Sequence, residues 1–265
     1  MNKLTPFIIE DGLNTSYIDS LFISLFYKQS YIQNILSDVA YNVIFTYLQD
    51  LIFYNFIHNM RKHYTIDSAT MNEIRNYLIM CGWKDDQDMI EMYTPQDLYS
   101  FMIDGFTNDH VTFTTIDGKN KVIDKYIQLS VIENASIYDM MVAWQTNNGI
   151  ASISNNSISK EIAKYIPIYL YRDTKYNNFQ IDITGGITFG YGDGQRLWVI
   201  HSIVCFTKSD RGHYYSVIKD TDGWYLFSNK HKPSLVKVDI TDDDIMVKIK
   251  QECVFLLYTI DGLVA

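Results

Sequence analysis

The sequence predicts an α+β protein in which a helical segment is followed by an antiparallel β segment. From Ser16 to about Asp104, apolar residues recur at the three- and four-residue spacing of amphipathic helices. After Asp109, short runs of β-branched and aromatic residues alternate with turn sequences, which is the pattern of strands. A run of helices followed by a run of strands is typical of α+β folds.

The chain is large enough for one complete core. At 265 residues, with 47% hydrophobic and 15% aromatic content, it can bury a full interior. No proline-, glycine- or serine-rich linker and no repeat divides it. We therefore expect a single domain over residues 1–265, with a helical lobe at about 12–108 and a β lobe at about 109–265.

The helical segment contains four regions with helix signals. Ser16 to Tyr27 carries one apolar face, and residues 31–60 repeat the same spacing. A shorter helix is predicted from about Met71 to Cys81, with Gly82 ending it. The fourth begins at Thr94-Pro95-Gln96-Asp97, where the threonine is the N-cap, the proline takes the first helical position and the aspartate the third.

The second half of the sequence predicts mostly strands. Val111–Ile116 and Val122–Leu129 flank Asp117-Gly118, a dipeptide that favours a hairpin turn. Helices are expected over residues 136–144 and 242–250. Further strands are predicted over residues 165–171, 179–183, 187–189, 197–206 and 252–260.

The most informative stretch is a predicted hairpin from Arg211 to Asn229. Asp220-Thr221-Asp222-Gly223 is a turn sequence between two aromatic, β-branched runs. His213 and Asn229 come from the open ends of the two strands, so they can lie side by side. A histidine oriented by a neighbouring polar group can act as the general base that activates a nucleophile.

Composition excludes several classes of function. Three scattered cysteines without a CxxC pair argue against a disulfide framework and a zinc site, and we expect no cofactor. The net charge of -9 argues against nucleic acid as a partner and suits a basic peptide or protein surface. Apolar stretches are too short to span a membrane, and the N-terminus lacks a signal-peptide core, so we expect an intracellular protein. The abundance of Tyr, Ile, Asn and Lys is typical of AT-rich genomes, such as those of large DNA viruses or parasites.

Eight short segments, beginning with Asn14–Leu21 and Pro95–Met102, together resemble the ubiquitin-specific protease family of cysteine deubiquitinases. The first box of that family reads roughly Asn-Thr-Cys-Tyr-Met-Asn-Ser-Leu, and this chain has Asn14-Thr15-Ser16-Tyr17-Ile18-Asp19-Ser20-Leu21. The second box, of the type Gln-Gln-Asp-Ala-x-Glu-Phe-Leu, is similar to Pro95-Gln96-Asp97-Leu98-Tyr99-Ser100-Phe101-Met102. The other matching segments, in the order of the family, are Gln128–Val131, Ser136–Asp139, Tyr169–Asp173, Gly212–Tyr214, Trp224–Asn229 and Val254–Tyr258.

The resemblance implies a papain-like cysteine-protease fold, with a helical thumb lobe packed on an antiparallel β palm lobe. The fingers would be reduced, because only a short polar loop at about 146–160 stands where the zinc ribbon of the family is inserted. The implied partner is the C-terminal tail of ubiquitin or a related modifier, with a larger protein assembly as a further implied partner. The tail-binding residues implied by the resemblance are Asp97, Gln96 and Tyr214.

The resemblance also implies a set of catalytic positions, and several of them depart from the family. Ser16 stands at the position of the nucleophilic cysteine, and His213 at that of the general base. Asn229 or Ser228 would orient the histidine. Asp11 takes the position of the asparagine that stabilises the oxyanion, although a carboxylate there would repel negative charge. A serine hydroxyl does not ionise as a cysteine thiol does near neutral pH.

Three functions are consistent with this pattern. The first is a natural pseudo-deubiquitinase that binds ubiquitin without efficient hydrolysis, and the further changes at Asp11, Ser228 and Ser100 favour it. The second is an active isopeptidase whose nucleophile has been replaced, Cys to Ser, at position 16. The third is a scaffold that reuses the fold and binds no ubiquitin.

Each site residue also has a purely structural interpretation. Ser16 could be a helix N-cap. His213 could be a cross-strand aromatic partner, and Asp97 could only cap its helix. Asn229 could be a turn residue. The sequence leaves these alternatives open.

Overall fold

The computed structural model describes residues 7–38, 42–84, 93–107, 111–117, 121–154, 163–173, 179–183, 185–189, 196–208 and 212–260. These residues form an α+β fold, which confirms the predicted class. The chain divides into two compact units, each made of two separate segments. Unit 1 comprises Met1–Thr107 and Phe206–Val238, and unit 2 comprises Asn108–Cys205 and Asp239–Ala265.

Unit 1 combines helices with three antiparallel strands. The helices are α1 (Ser16–Phe26), α2 (Val43–Leu51), α3 (His58–Arg61), α4 (Ser68–Met80) and α5 (Pro95–Phe106). A 3₁₀ helix covers Tyr31–Leu36, and a π-helix at Ile52–Ile57 connects α2 to α3. The strands are β8 (His213–Asp220), β9 (Gly223–Phe227) and β10 (Leu235–Val238), paired in the order β8–β9–β10.

Local sequence signals fix the ends of these helices. The Asp67 carboxylate accepts the Thr70 N–H as the N-cap of α4, so this helix begins three residues before the predicted Met71. Gly82 follows α4 with φ +97°, which supports its predicted role in ending the helix. Helix α5 begins as predicted, with Thr94 as N-cap and Pro95 in the first turn.

Helix α1 is the centre of unit 1. The sequence predicts one apolar face, but all eleven residues are buried, including the polar Asp19, Ser20 and Ser24. Strand β8 packs against the helix, and the Ser216 hydroxyl donates to the Ser20 carbonyl at 2.5 Å. Burying a polar side chain is costly when it has no partner, and the Ser20 hydroxyl and Asp19 Oδ1 have none among the described residues. Ser16 and His213 are the first residues of these two contacting elements.

Unit 2 contains two sheets and two helices. Its larger sheet has the order β7–β11–β5–β3, with β6 paired to β7. The smaller sheet has the order β2–β1–β4. The helices are α6 (Ile137–Asn147) and α7 (Asp243–Glu252). The strands are β1 (Val111–Thr115), β2 (Lys121–Asp124), β3 (Ile127–Ser130), β4 (Ile150–Ser154), β5 (Tyr165–Tyr171), β6 (Ile187–Phe189), β7 (Arg196–Thr207) and β11 (Cys253–Ile260).

The structure corrects several predicted elements. The predicted strand Val122–Leu129 is two strands in different sheets, β2 and β3, and β3 pairs parallel with β5, so the sheet is mixed. The strand predicted over 179–183 is wrong, since only an isolated bridge between Ser136 and Asp182 forms there. Strands β4 and β10 were not predicted. Arg211 and residues 155–160 lie outside the described residues, and the described part of the expected loop at about 146–160 contains the end of α6 and strand β4.

Candidate functional site

The loop before α1 sets the position of Ser16. Asn14 has φ 53°, in the left-handed region, and the Thr15 hydroxyl accepts the Gly12 N–H at 3.0 Å. Thr15 is the N-cap residue, and Ser16 is the first residue of the helix, 5% exposed. The interpretation of Ser16 as a helix N-cap is therefore wrong by one residue. The side chain of Ser16 stands where the helix dipole favours negative charge.

Helix α4 holds this loop from the side. The Leu13 N–H donates to Asn72 Oδ1 at 2.9 Å, and the Leu13 carbonyl accepts from Arg75 Nη1 at 2.9 Å. Both polar groups of one peptide residue are thus bound by side chains one helical turn apart. Arg75 is only 6% exposed, so this contact is part of the core of unit 1. Neither Asn72 nor Arg75 was predicted to be a site residue, because neither belongs to a recognisable motif.

His213 lies at the start of β8 and is hydrogen-bonded to Ser228. The imidazole Nε2 and the Ser228 hydroxyl are 3.0 Å apart, and the two residues are 5% and 4% exposed. The same hydroxyl accepts the Lys230 N–H at 3.3 Å. A hydroxyl can donate to an imidazole nitrogen or accept from it, so Ser228 does not impose one tautomer on the ring.

Asn229 contacts two carboxylates and not the histidine. Its Nδ2 donates to Asp11 Oδ1 at 3.0 Å and to Asp19 Oδ2 at 2.5 Å. Of the two candidates for orienting His213, the structure therefore brings Ser228 to the ring and Asn229 to the acidic groups. Asn229 is 7% exposed, and its Oδ1 is buried without a hydrogen-bond partner among the described residues.

Asp19 is a site residue whose role was not predicted from the sequence. It lies in the first turn of α1 and is fully buried. Burial raises the pKa of Asp19 well above its ordinary value, and the hydrogen bond from Asn229 opposes part of that rise. Its Oδ1 has no hydrogen-bond partner in the described part of the chain. The available signal was a substitution: the first box of the resembled family has asparagine where this chain has Asp19.

The residues expected to bind a peptide tail lie elsewhere in unit 1. Asp97 is in the first turn of α5, where its Oδ2 accepts the Thr94 hydroxyl and its N–H donates to Thr94 Oγ1 at 3.4 Å. Gln96 precedes it and is 8% exposed. Tyr214 follows His213 and packs on Phe206 with 4.8 Å between ring centroids. The capping role of Asp97 is thus present, whatever else its carboxylate binds.

The described residues give no sign of a metal centre or a membrane span. In the described part, no cluster of three or more His, Cys, Asp or Glu side chains is placed to hold a metal ion. None of the described helices combines the length and the apolar character needed to cross a bilayer.

Comparison with solved structures shows the class of fold. Two deubiquitinase modules of the SAGA complex match the chain. One contains a Ubp8 variant, a shortened Sgf11, Sus1 and Sgf73, with a TM-score of 0.58 and 14% identity over 98% of this chain and 69% of the matched chain. The other, the Ubp8-Sgf11-Sgf73-Sus1 module, gives a TM-score of 0.56 and 14% identity over 97% and 67%.

These matches assign the chain a deubiquitinase-type fold similar to that of ubiquitin-specific proteases. No protein-family model and no curated sequence matches the chain. At 14% identity, the likeness establishes the fold alone.

Proposed function

We propose that this chain is a pseudo-deubiquitinase, which binds ubiquitin or a related modifier and hydrolyses its conjugates poorly. The single observation that carries the proposal is the contact between His213 Nε2 and the Ser228 hydroxyl at 3.0 Å. A catalytic histidine needs a partner that fixes its tautomer and stabilises its protonated form. A neutral hydroxyl does neither as well as a carboxylate.

The nucleophile position supports the same conclusion. Ser16 begins α1, where the free N–H groups of the helix favour an anion. A cysteine there would be held as a thiolate by a nearby imidazolium. A serine hydroxyl must instead lose its proton during the reaction, and that demands a strong, correctly protonated base. Because Nε2 of His213 is hydrogen-bonded to Ser228, Nδ1 would have to act as the base. The Ser228 hydroxyl does not determine whether Nδ1 carries a proton.

The oxyanion position supports it further. In the proposed assignment, Asp11 stands where a hydrogen-bond donor would stabilise the tetrahedral intermediate. The side-chain amide of Asn229 donates to Asp11 and Asp19. Removing one oxyanion donor costs about 2.7–4 kcal/mol of transition-state stabilisation. The groups at the nucleophile, histidine-orienting and oxyanion positions, which are Ser16, Ser228 and Asp11, would together suppress turnover.

Binding does not require these groups. We propose that Asp97, Gln96 and Tyr214 contact the C-terminal tail of the modifier, since a carboxylate forms charge-assisted hydrogen bonds with arginine. The net charge of -9 suits a basic tail. We also propose that residues 1–265 act as one domain with thumb and palm lobes and reduced fingers. Because the matched structures are multiprotein modules, a larger intracellular assembly is part of the proposal.

The experiment combines a binding titration with covalent labelling. Ubiquitin is titrated into the protein by calorimetry, and a ubiquitin probe with a thiol-reactive C-terminus is incubated with the natural chain, Ser16→Cys and Ser16→Ala. We expect binding by all three, labelling of Ser16→Cys only, and that slowly. Efficient hydrolysis of a ubiquitin amide by the natural chain would disprove the proposal.

Two other functions give different results in the same experiment. An active isopeptidase with a replaced nucleophile predicts rapid turnover once Ser16→Cys is made. A scaffold without modifier binding predicts no heat of binding for any of the three proteins. The titration therefore distinguishes the scaffold from the two modifier-binding functions. The rate of labelling then distinguishes the pseudo-deubiquitinase from the active isopeptidase.

A further inference from the structure

Strand β3 forms an edge of the larger sheet of unit 2. Among the described residues it pairs only with β5, in parallel. The Val131 N–H donates to the Tyr171 carbonyl at 3.0 Å, so Val131 faces β5. Because the direction of the peptide groups alternates along a strand, Leu129 also faces β5, whereas the N–H and C=O groups of Gln128 and Ser130 point away from it. No residue that the structure describes forms a hydrogen bond with these outward groups.

A groove of about 190 Å³ lies along this edge. One side of it is formed by Gln128–Ser130, and the other by Met140, Ala143 and Trp144 of α6. Ile132, which follows the strand, also lines the groove and is 56% exposed. Peptide groups on one side and apolar side chains on the other are the features that bind an added strand. We call these residues the β3 edge groove.

The sequence around β3 is self-complementary in the antiparallel sense. A twofold axis at Leu129 would set Gln128 of one copy opposite Ser130 of the other, so that outward-facing peptide groups meet outward-facing peptide groups. The same register, continued beyond the strand, sets Lys125 opposite Glu133 once on each side of the axis. Opposite charges directly across a strand pair stabilise it, and like charges destabilise it.

Neighbouring registers lack this match. A shift by one residue would set Gln128, which faces outward, against Leu129, which faces β5. A shift by two residues would keep the outward groups together but oppose Lys125 to Val131 or Ala135, which carry no charge. The peptide groups and the charges therefore select the same register.

We propose that the β3 edge groove is the interface of a homodimer, in which β3 of two copies pairs antiparallel about Leu129. The larger sheet of unit 2 then continues into that of the second copy, and pairing covers the exposed Ile132. Because β3 has only four residues, the dimer exchanges with monomer. The inference goes beyond modifier binding: the groove belongs to unit 2, and all the proposed catalytic and tail-binding residues belong to unit 1.

The first test measures the mass of the full chain by analytical ultracentrifugation over a dilution series. We expect the mass to rise with concentration from 30.9 kDa towards twice that value. Ser130→Pro removes an outward N–H and leaves the hydrogen bond of Val131 to β5 in place, so it should raise the dimer Kd about tenfold or more. Ala143→Arg, in the other wall of the groove, should have a similar effect. Val142→Arg adds the same charge on the opposite side of α6 and is the matched control, which should leave the Kd unchanged.

An exchange of charges tests the register. Lys125→Glu would set glutamates opposite Glu133, and Glu133→Lys would set lysines opposite Lys125. We expect each variant alone to have a dimer Kd about tenfold higher, because two charge pairs change from attraction to repulsion. In an equimolar mixture the two variants form a heterodimer in which opposite charges meet again, so the Kd should return towards that of the natural chain.

Three outcomes would overturn the proposal. The first is a natural chain that keeps the mass of one copy over the whole series. The second is a dimer that both Ser130→Pro and Ala143→Arg leave unchanged. The third is a mixture of the two charge variants that is no heavier than either variant alone. Failure of ubiquitin to bind would contradict the proposed function and leave all these masses unchanged, so the two proposals fail separately.

Discussion

Asn229 donates a 2.5 Å hydrogen bond to Asp19 across 210 residues of sequence. The pair joins the residue after β9 to the first turn of α1. In the resembled family the two residue types are the other way round, with asparagine in the first box and aspartate after the hairpin. The exchange moves the carboxylate into the buried helix, where its charge is costly.

The burial of Asp19 predicts a pH-dependent effect of Asp19→Asn. The pKa of Asp19 is raised in the folded protein by burial, so the folded state retains a proton that the unfolded chain releases above about pH 3.9. The contribution of this group to stability falls as the pH rises from that value through the folded pKa. We expect the free energy of unfolding of Asp19→Asn, minus that of the natural protein, to increase with pH over this window in urea titrations.

Substitution of Asp67 is a control whose effect on stability should depend on pH in the opposite direction. Its pKa is lowered by hydrogen bonds from Thr70, so its stabilising effect is present above the unfolded pKa and lost as the pH falls. Asp67→Ala also removes the N-cap of α4 and should cost about 1 kcal/mol at neutral pH. Equal pH trends for the two variants would contradict the assignment of opposite shifts.

Ser228→Asp should improve the reactivity of a Ser16→Cys protein. A carboxylate at 228 would accept the proton on Nε2 of His213, fix the tautomer and stabilise the imidazolium. We expect labelling by the ubiquitin probe to be about tenfold faster or more than in Ser16→Cys alone. The pH profile of labelling should also move, because a nearby carboxylate raises the pKa of an imidazole.

Ser228→Asn is the matched control for that gain. It introduces a similar shape without charge, so it should give a smaller increase in rate and no comparable change in the pH profile. Equal effects of the two substitutions would show that shape rather than charge limits the histidine.

Asp11→Asn should increase labelling in the same Ser16→Cys background. The substitution removes a negative charge and supplies an amide donor at the proposed oxyanion position. One such donor is typically worth about 10²-fold in rate. Glu73→Gln, which removes an exposed charge on α4, controls for net charge. The assignment of Asp11 fails if both substitutions change the rate equally.

Arg172 is expected to be essential for the stability of unit 2. Its guanidinium donates to the carbonyls of Phe179 at 2.7 Å, Lys250 at 2.9 Å and Cys253 at 3.2 Å. Arg172→Met would remove all three of these hydrogen bonds, although the Lys250 carbonyl would keep the one from the Ile181 N–H, and should lower the free energy of unfolding by about 2 kcal/mol or more. Arg172→Lys keeps the positive charge but not the planar set of guanidinium N–H donors. The decrease in the free energy of unfolding should therefore be intermediate in a denaturant titration.

Elements with local signals were predicted well. The start of α5 follows from Thr94 and Pro95, which act within one turn of the helix. The hairpin at Asp220–Gly223 follows from its turn sequence, and the pairing of Asp220 with Gly223 confirms it. In both places neighbouring residues determine the backbone, so no distant contact is needed to predict them.

Elements that depend on distant contacts were predicted less well. The stretch 179–183 is β-branched enough to suggest a strand, yet its Asp182 bridges to the cap of α6 instead of joining a sheet. The contacts of Asn229 with Asp11 and Asp19 bring together parts of the chain more than 200 residues apart. Motif comparison identifies these positions individually, but spacing along the chain cannot show which side chains meet.

The division of each unit between two separate stretches has a consequence for biosynthesis. Helix α1 precedes strand β8 along the chain, and β8, which packs against the helix, is translated only after most of unit 2. Until then, buried groups such as Asp19 and Ser20 lack their native surroundings. Folding of each unit depends on contacts between residues that are far apart in the sequence. A chain that stalls or is cut between β7 and β8 would leave both units incomplete, so neither half should be obtainable as a folded fragment.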